Sequence, residues 1–238
     1  MMTRRRWIAD EVSGNRAALV GEHARHLALV LRAQVGQEFE IATGREVHHA
    51  TVTNVRDDRV EFELGETVTQ ASGVNITVAM SIFKFDRMEW AIEKCTELGV
   101  LKIIPMVAAR TEPHLAAASR KRVERWRRIV QQASEQSRRD FVPEIMTPVP
   151  FNELVSMSVG LRLFLSEFEK KTTLKDAVVS SKPDSVLLAF GPEGGWKEQE
   201  VSAFIAHGWT SASLGQTILR AETAVIAAVA ITASVLTS

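Results

Sequence analysis

The hydrophobic pattern of the chain changes near residue 73. Before that point, apolar and polar positions alternate over short stretches, whereas after it continuous apolar runs are separated by amphipathic segments. Alternation of period two predicts strands with one buried face, and continuous apolar runs predict strands covered on both faces. The pattern therefore predicts two domains, at residues 1–72 and 73–238, with a linker at Gln70–Gly73.

The first domain is predicted to be rich in antiparallel strands. Its alternating stretches are residues 38–41, 50–55 and 59–64, with turn-forming Thr-Gly and Asp-Asp pairs between them. One short helix is predicted over residues 23–32, because Leu27, Val30 and Leu31 would share its apolar face. These features favour a small barrel or sandwich.

The second domain alternates five strands with five helices, which is typical of a mostly parallel sheet covered by helices on both faces. The predicted strands are 75–82, 100–106, 161–165, 186–190 and 212–214. The predicted helices are 86–98, 116–139, 174–180, 196–207 and a long apolar helix from Ala221. Asp86, with Glu89 three residues later, is expected to cap the first of these helices.

Two of these strands end in loops that contain glycine. One loop is Gly191–Gly195, and the other runs from Gly215 to Arg220. Glycine lets backbone groups approach a ligand closely, and ligands of open α/β sheets lie outside the carboxyl ends of the strands. Each loop also carries or adjoins charged residues, namely Glu193, Arg220 and Glu222. Two such loops in tandem favour a binding site over a pair of simple turns.

Composition excludes two classes of protein. The 238 residues are 45% hydrophobic, which argues against a disordered chain. The chain contains one cysteine, Cys95, which argues against a disulfide framework. No secretory signal pattern is visible, and the apolar stretch Ala221–Leu236 is too short to span a bilayer comfortably. The sequence thus predicts a cytoplasmic protein without a membrane segment.

Several cofactor classes lack their sequence signatures. The first strand of the second domain is not followed by G-x-G-x-x-G, and no phosphate-binding P-loop is present. The six histidines show no metal-ligand spacing. A nicotinamide, a nucleoside triphosphate and a metal are therefore not supported, whereas a small ligand held by backbone groups is.

Positive charge is concentrated, although the formal net charge is zero. Residues 120–139 contain eight Arg or Lys against two Glu, and Arg4–Arg6 form a second cluster. Arginine offers forked donors that suit phosphate, but most charge runs are solvated helix faces. Contact with a nucleic-acid backbone and simple solvation both remain open on this pattern alone.

The two glycine loops also carry a family resemblance. Gly191–Gly195 (GPEGG), followed by Leu214–Ala224 (LGQTILRAETA), resembles the paired motifs of the 16S ribosomal RNA (uracil-N3) methyltransferase family of SPOUT trefoil-knot enzymes. Agreement extends to Lys84 with Glu93–Val100, to segments within 125–139, and to residues 26–32, so that it covers nearly the whole chain.

The resemblance implies a fold and an activity. It implies an α/β protein with an N-terminal PUA-like RNA-binding β-barrel and a C-terminal SPOUT domain that contains a trefoil knot. It further implies a homodimer that binds S-adenosylmethionine in the knot. The methyl group would pass to N3 of one uridine in 16S ribosomal RNA, within the 30S subunit.

Site residues follow from the same resemblance. Three loops would hold the cofactor, through Leu165, Ser166, Glu167, Gly191, Pro192, Glu193, Gly194, Gly195, Leu214, Gly215, Ile218 and Leu219. Arg220 would stabilise negative charge on the target base, and Glu222 would position Arg220 or face the sulfonium. RNA contacts would come from Arg4, Arg5, Arg6, Arg25, Arg32, Lys84, Arg125, Arg138 and Arg139.

Three alternatives remain open at this point. A SPOUT methyltransferase could act on another RNA base, since a fold does not determine its substrate. A non-catalytic RNA-binding assembly factor is the second, although the intact Glu193, Arg220 and Glu222 argue against it. An oxidoreductase is the third, and the missing dinucleotide fingerprint argues against it.

Overall fold

The computed structural model describes residues 6–44, 46–68, 75–137 and 139–237. The chain divides into two compact units, Met1–Ser72 with Ser134–Val142, and Gly73–Ala133 with Pro143–Ser238. The predicted linker Gln70–Gly73 lies outside the described residues, so the domain boundary stays a prediction. The inclusion of Ser134–Val142 in the first unit was not expected from the sequence.

A six-stranded sheet forms the first unit. Its strands are β1 (Arg6–Ile8), β2 (Glu11–Ser13), β3 (Arg16–Val20), β4 (Glu38–Ala42), β5 (Val47–Arg56) and β6 (Arg59–Val68). They lie in the order β1-β4-β5-β6-β3-β2, with β1 parallel to β4 and the other neighbours antiparallel. Two register shifts interrupt the β5–β6 pairing, and such bulges increase the local twist of a sheet.

The predicted helix at residues 23–32 is shorter and has two parts. An α-helix, α1 (Gly21–Arg25), continues as a π-helical turn over His26–Val30, in which the Leu31 N–H donates to the His26 carbonyl. Leu27 is buried in the core of the unit, but Val30 and Leu31 are 66% and 44% exposed. The expected apolar face that included Val30 and Leu31 is therefore wrong, because the wider turn changes the helical phase.

A parallel sheet forms the second unit, as the sequence predicts. Its strands are β7 (Asn75–Ser81), β8 (Lys102–Val107), β9 (Glu144–Ile145), β10 (Val149–Pro150), β11 (Leu161–Leu165), β12 (Ser185–Phe190) and β13 (Thr210–Ala212). The order is β10-β8-β7-β12-β11-β13, and β9 also pairs with β8. The two-residue strands β9 and β10 are too short to produce a hydrophobic pattern, which explains why they were not predicted.

Helices cover this sheet. They are α2 (Phe85–Glu97), α3 (Pro113–Ser119), α4 (Val123–Gln136), α5 (Phe151–Val155), α6 (Leu174–Ser181), α7 (Glu198–Ala206) and α8 (Ala221–Leu236). The apolar helix α8 packs against α2, α6, β7 and β12. Among the described residues, none of the helices combines the length and the apolar character that crossing a membrane requires.

Two helix predictions need correction. Helix α2 begins at Phe85, so that Lys84 occupies the N-cap position without a side-chain cap and Asp86 lies inside the first turn. Asp86 can still interact favourably with the helix dipole there. The single helix predicted over residues 116–139 is divided into α3, a 3₁₀ turn at Arg120–Arg122, and α4, which ends at Gln136.

A charged histidine joins two segments of the first unit. His23 Nδ1 lies 3.0 Å from Asp10 Oδ1, and His23 Nε2 lies 3.0 Å from Glu135 Oε1. The hydrogen bonds to Asp10 and then Glu135 raise the pKa of His23 to about 10. The protonated imidazole thereby bridges the β1–β2 turn and the last turn of α4.

Replacing His23 with glutamine removes this bridge, and we expect a loss of about 2 kcal/mol in the free energy of unfolding near pH 6. Because the folded pKa is raised, the stabilisation is complete below the unfolded pKa of about 6.5 and is lost as the pH rises through the folded value. Urea unfolding between about pH 6 and pH 10 should therefore show the difference from wild type shrinking. A difference in the free energy of unfolding that does not depend on pH would indicate a packing role for His23. The control is His114→Gln, at a side chain that is 72% exposed.

Candidate functional site

The carboxyl ends of three neighbouring strands, β11, β12 and β13, meet around a cavity of about 390 Å³. Eleven of the twelve residues predicted to bind the cofactor line it, namely Leu165, Ser166, Glu167, Gly191, Pro192, Glu193, Gly195, Leu214, Gly215, Ile218 and Leu219. Gly194, the twelfth, lies in the same loop and its carbonyl accepts from Arg110. The structure thus brings the three predicted loops together at one cavity, while their binding role stays a prediction.

Glycine is required at particular places in these loops. Gly195 and Gly215 have φ values of +69° and +120°, which side chains rarely adopt. At Gly191 the requirement is close packing, since a Cβ atom there would lie 3.2 Å from the indole of Trp196. The glycines therefore allow the loops to fold tightly at the cavity wall.

Trp196 fastens the glycine loop to the neighbouring strand. Its indole Nε1 donates to the Leu165 carbonyl at 2.9 Å, at the end of β11. The ring is 8% exposed and makes an edge contact with Phe204, which in turn stacks on Phe164 at 4.6 Å. One side chain thus fills the space beneath Gly191 and sets the distance between two of the three loops.

The turn after β8 supports the same loop from the other side. Arg110 Nη1 donates to the carbonyls of Gly194 and Trp196. Glu200, only 5% exposed, accepts from the backbone N–H groups of Ala109 and Lys197, each at 2.9 Å. The contacts made by Ala109 and Arg110 were not predicted, because they join segments more than eighty residues apart in the chain.

Some of the charged side chains at the cavity form ion pairs, and others do not. Arg87 Nη1 lies 3.1 Å from Glu193 Oε1, and Arg87 Nε lies 3.8 Å from Glu222 Oε1. Glu222 is buried, and its Oε2 has no hydrogen-bond partner among the described residues. Arg220 lines the cavity and is exposed, and within the described part of the chain its side chain has no partner.

The partner of Glu222 was not expected from the sequence. Glu222 was expected to position Arg220 or to face the sulfonium, and both roles stay predictions, but the ion pair that the structure shows joins Glu222 to Arg87. Arg87 was not among the predicted site residues, although it lines the cavity. It follows the end of β7, and only the strand order, in which β7 lies beside β12, brings it near the glycine loop.

The predicted RNA-contacting residues fall into several groups. Arg6 is 8% exposed and pairs with Glu40 and Asp140, each at 2.9 Å, so RNA contact there, which stays a prediction, would have to compete with two ion pairs. Arg139 is 9% exposed, and its guanidinium lies 4.4 Å from the centre of the Phe141 ring, so its RNA contact likewise stays a prediction. In both cases the arginine belongs to the interior of the first unit.

Four of the other predicted cations are accessible to solvent. Arg25, Arg32, Lys84 and Arg125 are exposed, and Arg125 Nε lies 2.8 Å from Glu89 Oε2. Three further candidates, Arg4, Arg5 and Arg138, lie outside the described residues. RNA contact through the exposed cations stays a prediction.

Other chemistries find little support in the described ranges. Among those residues, no group of three or more His, Cys, Asp or Glu side chains could hold a metal ion. Cys95 is fully buried, and burial raises the pKa of its thiol, so it is not a ready nucleophile.

Comparison with known proteins identifies the family. Residues 70–233 match the family described as RNA methyltransferase domain. The chain is 32% identical over 219 residues to ribosomal RNA small subunit methyltransferase E of Bacillus subtilis, covering 87% of this chain and 85% of that protein. This chain belongs to the RNA methyltransferase family. The methyltransferase E of Synechocystis is 34% identical over 212 residues, which cover 86% of this chain and 68% of that protein.

A solved structure agrees with this membership. The ribosomal RNA small subunit methyltransferase E of Neisseria gonorrhoeae, determined with bound S-adenosyl methionine, has a TM-score of 0.82 and 31% identity, and 95% of each chain is covered. The family resemblance inferred from the motifs is thereby confirmed, as is a mixed α/β fold with one curled and one parallel sheet.

Replacing Glu200 with alanine should destabilise the protein by about 2 kcal/mol, because two backbone N–H groups lose their buried acceptor. The free energy of unfolding in urea measures this loss. Glu198→Ala, at an exposed position in the same helical turn, is the matched control and should change stability by less than about 0.5 kcal/mol. Equal effects of the two substitutions would contradict the role assigned to Glu200.

Proposed function

We propose that this protein transfers a methyl group from S-adenosylmethionine to N3 of one uridine in 16S ribosomal RNA of the 30S subunit. Membership of the RNA methyltransferase family supports the reaction class, and the S-adenosyl methionine bound to the Neisseria relative supports the cofactor. The observation that carries the proposal is the convergence of the three predicted cofactor loops on one cavity.

The cavity suits such a ligand. Its volume of about 390 Å³ lies within the usual range for small-molecule sites. Gly191, Gly215 and Thr217 line the cavity and would offer backbone groups to an adenine edge, and Ile218 and Leu219 offer apolar surface. When bound, S-adenosylmethionine supplies an electrophilic methyl group on a cationic sulfonium. Glu167 and Glu193, which also line the cavity, give it negative charge complementary to that cation.

Arg220 is the residue that we assign to the target base. Methylation at N3 requires loss of the N3 proton, and negative charge then develops on the uracil oxygens O2 and O4. A guanidinium presents several donors in a fixed plane, and donors aimed at developing charge lower the barrier. Arg220 lines the cavity, is exposed, and has no side-chain partner in the part of the chain that the structure describes.

The finer features of the fold belong to the same proposal. We propose that residues 1–72 form a PUA-like barrel, which the curled six-stranded sheet supports. We also propose that residues 73–238 form a SPOUT domain with a trefoil knot. The chain runs from central β12 to edge strand β13 and then returns, so that α8 packs against α2, β7 and β12, as threading through a knot would require.

RNA, a second subunit and location complete the proposal. Exposed cations Arg25, Arg32, Lys84 and Arg125 are candidates for contacts with the RNA backbone, together with Arg4, Arg5 and Arg138. The enzyme would act as a homodimer in the cytoplasm, where its ribosomal substrate is assembled.

Calorimetry with S-adenosylmethionine, with NADH and ATP as controls, tests the cofactor assignment first. We expect saturable binding of S-adenosylmethionine alone. Methylation of 30S subunits that lack the modification, followed by mapping of the modified nucleotide, then tests the substrate. Methylation of another base would favour the related-enzyme alternative, and RNA binding without S-adenosylmethionine binding or turnover would favour the assembly factor.

Replacing Arg220 with alanine should lower kcat by about 100-fold or more, since the side chain acts on charge that develops in the transition state. The affinity for S-adenosylmethionine should stay within about tenfold of wild type, because Arg220 is not assigned to the cofactor. Single-turnover methylation and calorimetry measure the two effects. Arg220→Lys keeps the charge but loses the planar fork, so its kcat should lie between those of wild type and Arg220→Ala. Unchanged turnover in Arg220→Ala would remove the residue from the mechanism.

A further inference from the structure

Arg87 forms ion pairs with two acids at the cavity, whereas Arg220 forms none among the described residues. The carboxylates that Arg87 engages come from the glycine loop and from the first turn of α8, at 3.1 Å for Glu193 and 3.8 Å for Glu222. Arg220 immediately precedes α8 and lines the same cavity as Glu193. Both arginines thus line the cavity, and Arg87 is the one that pairs with Glu193 and Glu222.

We propose that Arg87 is a positioning residue of the methyl-transfer site: by engaging Glu193 and Glu222, it keeps both carboxylates away from Arg220. The inference rests on the proposed function, because it assigns the unpaired state of Arg220 to recognition of the target base. Arg87 itself does not contact the base in this scheme.

Burial makes the pairing of Glu222 necessary. The side chain of Glu222 is 8% exposed, and a buried carboxylate is strongly unfavourable without a nearby cation or donor. Its Oε2 already lacks a partner among the described residues, so Arg87 is the counter-charge that the structure provides. Without Arg87, Glu222 would need another cation, and Arg220 is the other arginine among the described residues that line the cavity.

Glu193 is the acid that can respond most readily. Its side chain is 37% exposed and lies in a loop at the cavity wall, so it can reorient without disturbing the core. Once released from Arg87, it would have Arg220 as the remaining arginine among the described residues that line the cavity. An ion pair between Glu193 and Arg220 would occupy the donors that the target base needs.

Four variants separate this role from simple structural support. Arg87→Met removes the charge at similar length, and Arg87→Lys keeps it. E193Q alone and Arg87→Met in the E193Q background complete a double-mutant cycle. We expect Arg87→Met to lower kcat by about tenfold or more, with the dissociation constant of S-adenosylmethionine within about fivefold of wild type. Arg87→Lys should recover most of the activity, and the loss caused by Arg87→Met should be much smaller in the E193Q background.

A measurement without turnover accompanies the kinetics. The Nε–H resonance of Arg220 can be assigned by NMR from its disappearance in Arg220→Lys. In Arg87→Met this signal should shift and exchange more slowly with solvent, as expected for a newly formed ion pair, and the E193Q substitution should reverse both changes. This readout decides the pairing of Arg220 even if wild-type protein does not methylate 30S subunits, which would overturn the proposed function separately.

Two results would overturn the inference. The first is an Arg220 signal that is unchanged in Arg87→Met. The second is a loss of activity that E193Q does not relieve and that accompanies a lower melting temperature and weaker S-adenosylmethionine binding, which would make Arg87 a structural residue only.

Discussion

The candidate site depends on how the glycine loop is held against the end of β11. Trp196 provides the central interaction, since its indole donates to the Leu165 carbonyl while its ring fills the space under Gly191. Arg110 and Glu200 hold the loop and the start of α7 from the side of β8. A loop fastened at both sides can keep its backbone groups in place, and pre-organised polar groups are what recognition of a small ligand requires.

Much of this arrangement could be predicted, because the signals are local. Local sequence alone identifies the apolar runs of β11 and β12 and the glycines that follow β12, without knowledge of any long-range contact. Parallel strands place their carboxyl ends at one edge, so loops after neighbouring strands had to meet there. The positive φ values of Gly195 and Gly215 explain in structural terms why the motif requires glycine. The methyl donor and the RNA substrate, in contrast, came from the family resemblance and not from residue patterns.

What could not be predicted depends on strand order or on short elements. Arg87 and Glu193 are 106 positions apart, and only the placement of β12 beside β7 brings them together. The break at Arg120–Arg122 leaves no hydrophobic signal, because the polar face of the predicted helix continues through it. In the first unit, β2 was missed since it has only three residues, all of them exposed, and therefore no buried face. The π-helical turn after α1 similarly changes the phase that a regular helix would keep.

The arginines illustrate why charge along a sequence is a poor guide to function. By composition Arg6, Arg125 and Arg220 are equivalent cations, yet the first is buried between two acids and the second is paired with Glu89. Arg125 is 60% exposed and Glu89 also pairs with Arg122, so Arg125 can exchange its partner for a phosphate at small cost. Arg6 is itself buried, and it cannot do so without breaking its ion pairs with Glu40 and Asp140. Arg220 has no side-chain partner within the described chain, so it can bind a new partner without breaking an ion pair. Availability of a cation is thus determined by its neighbours, and at this cavity the decisive neighbour is Arg87.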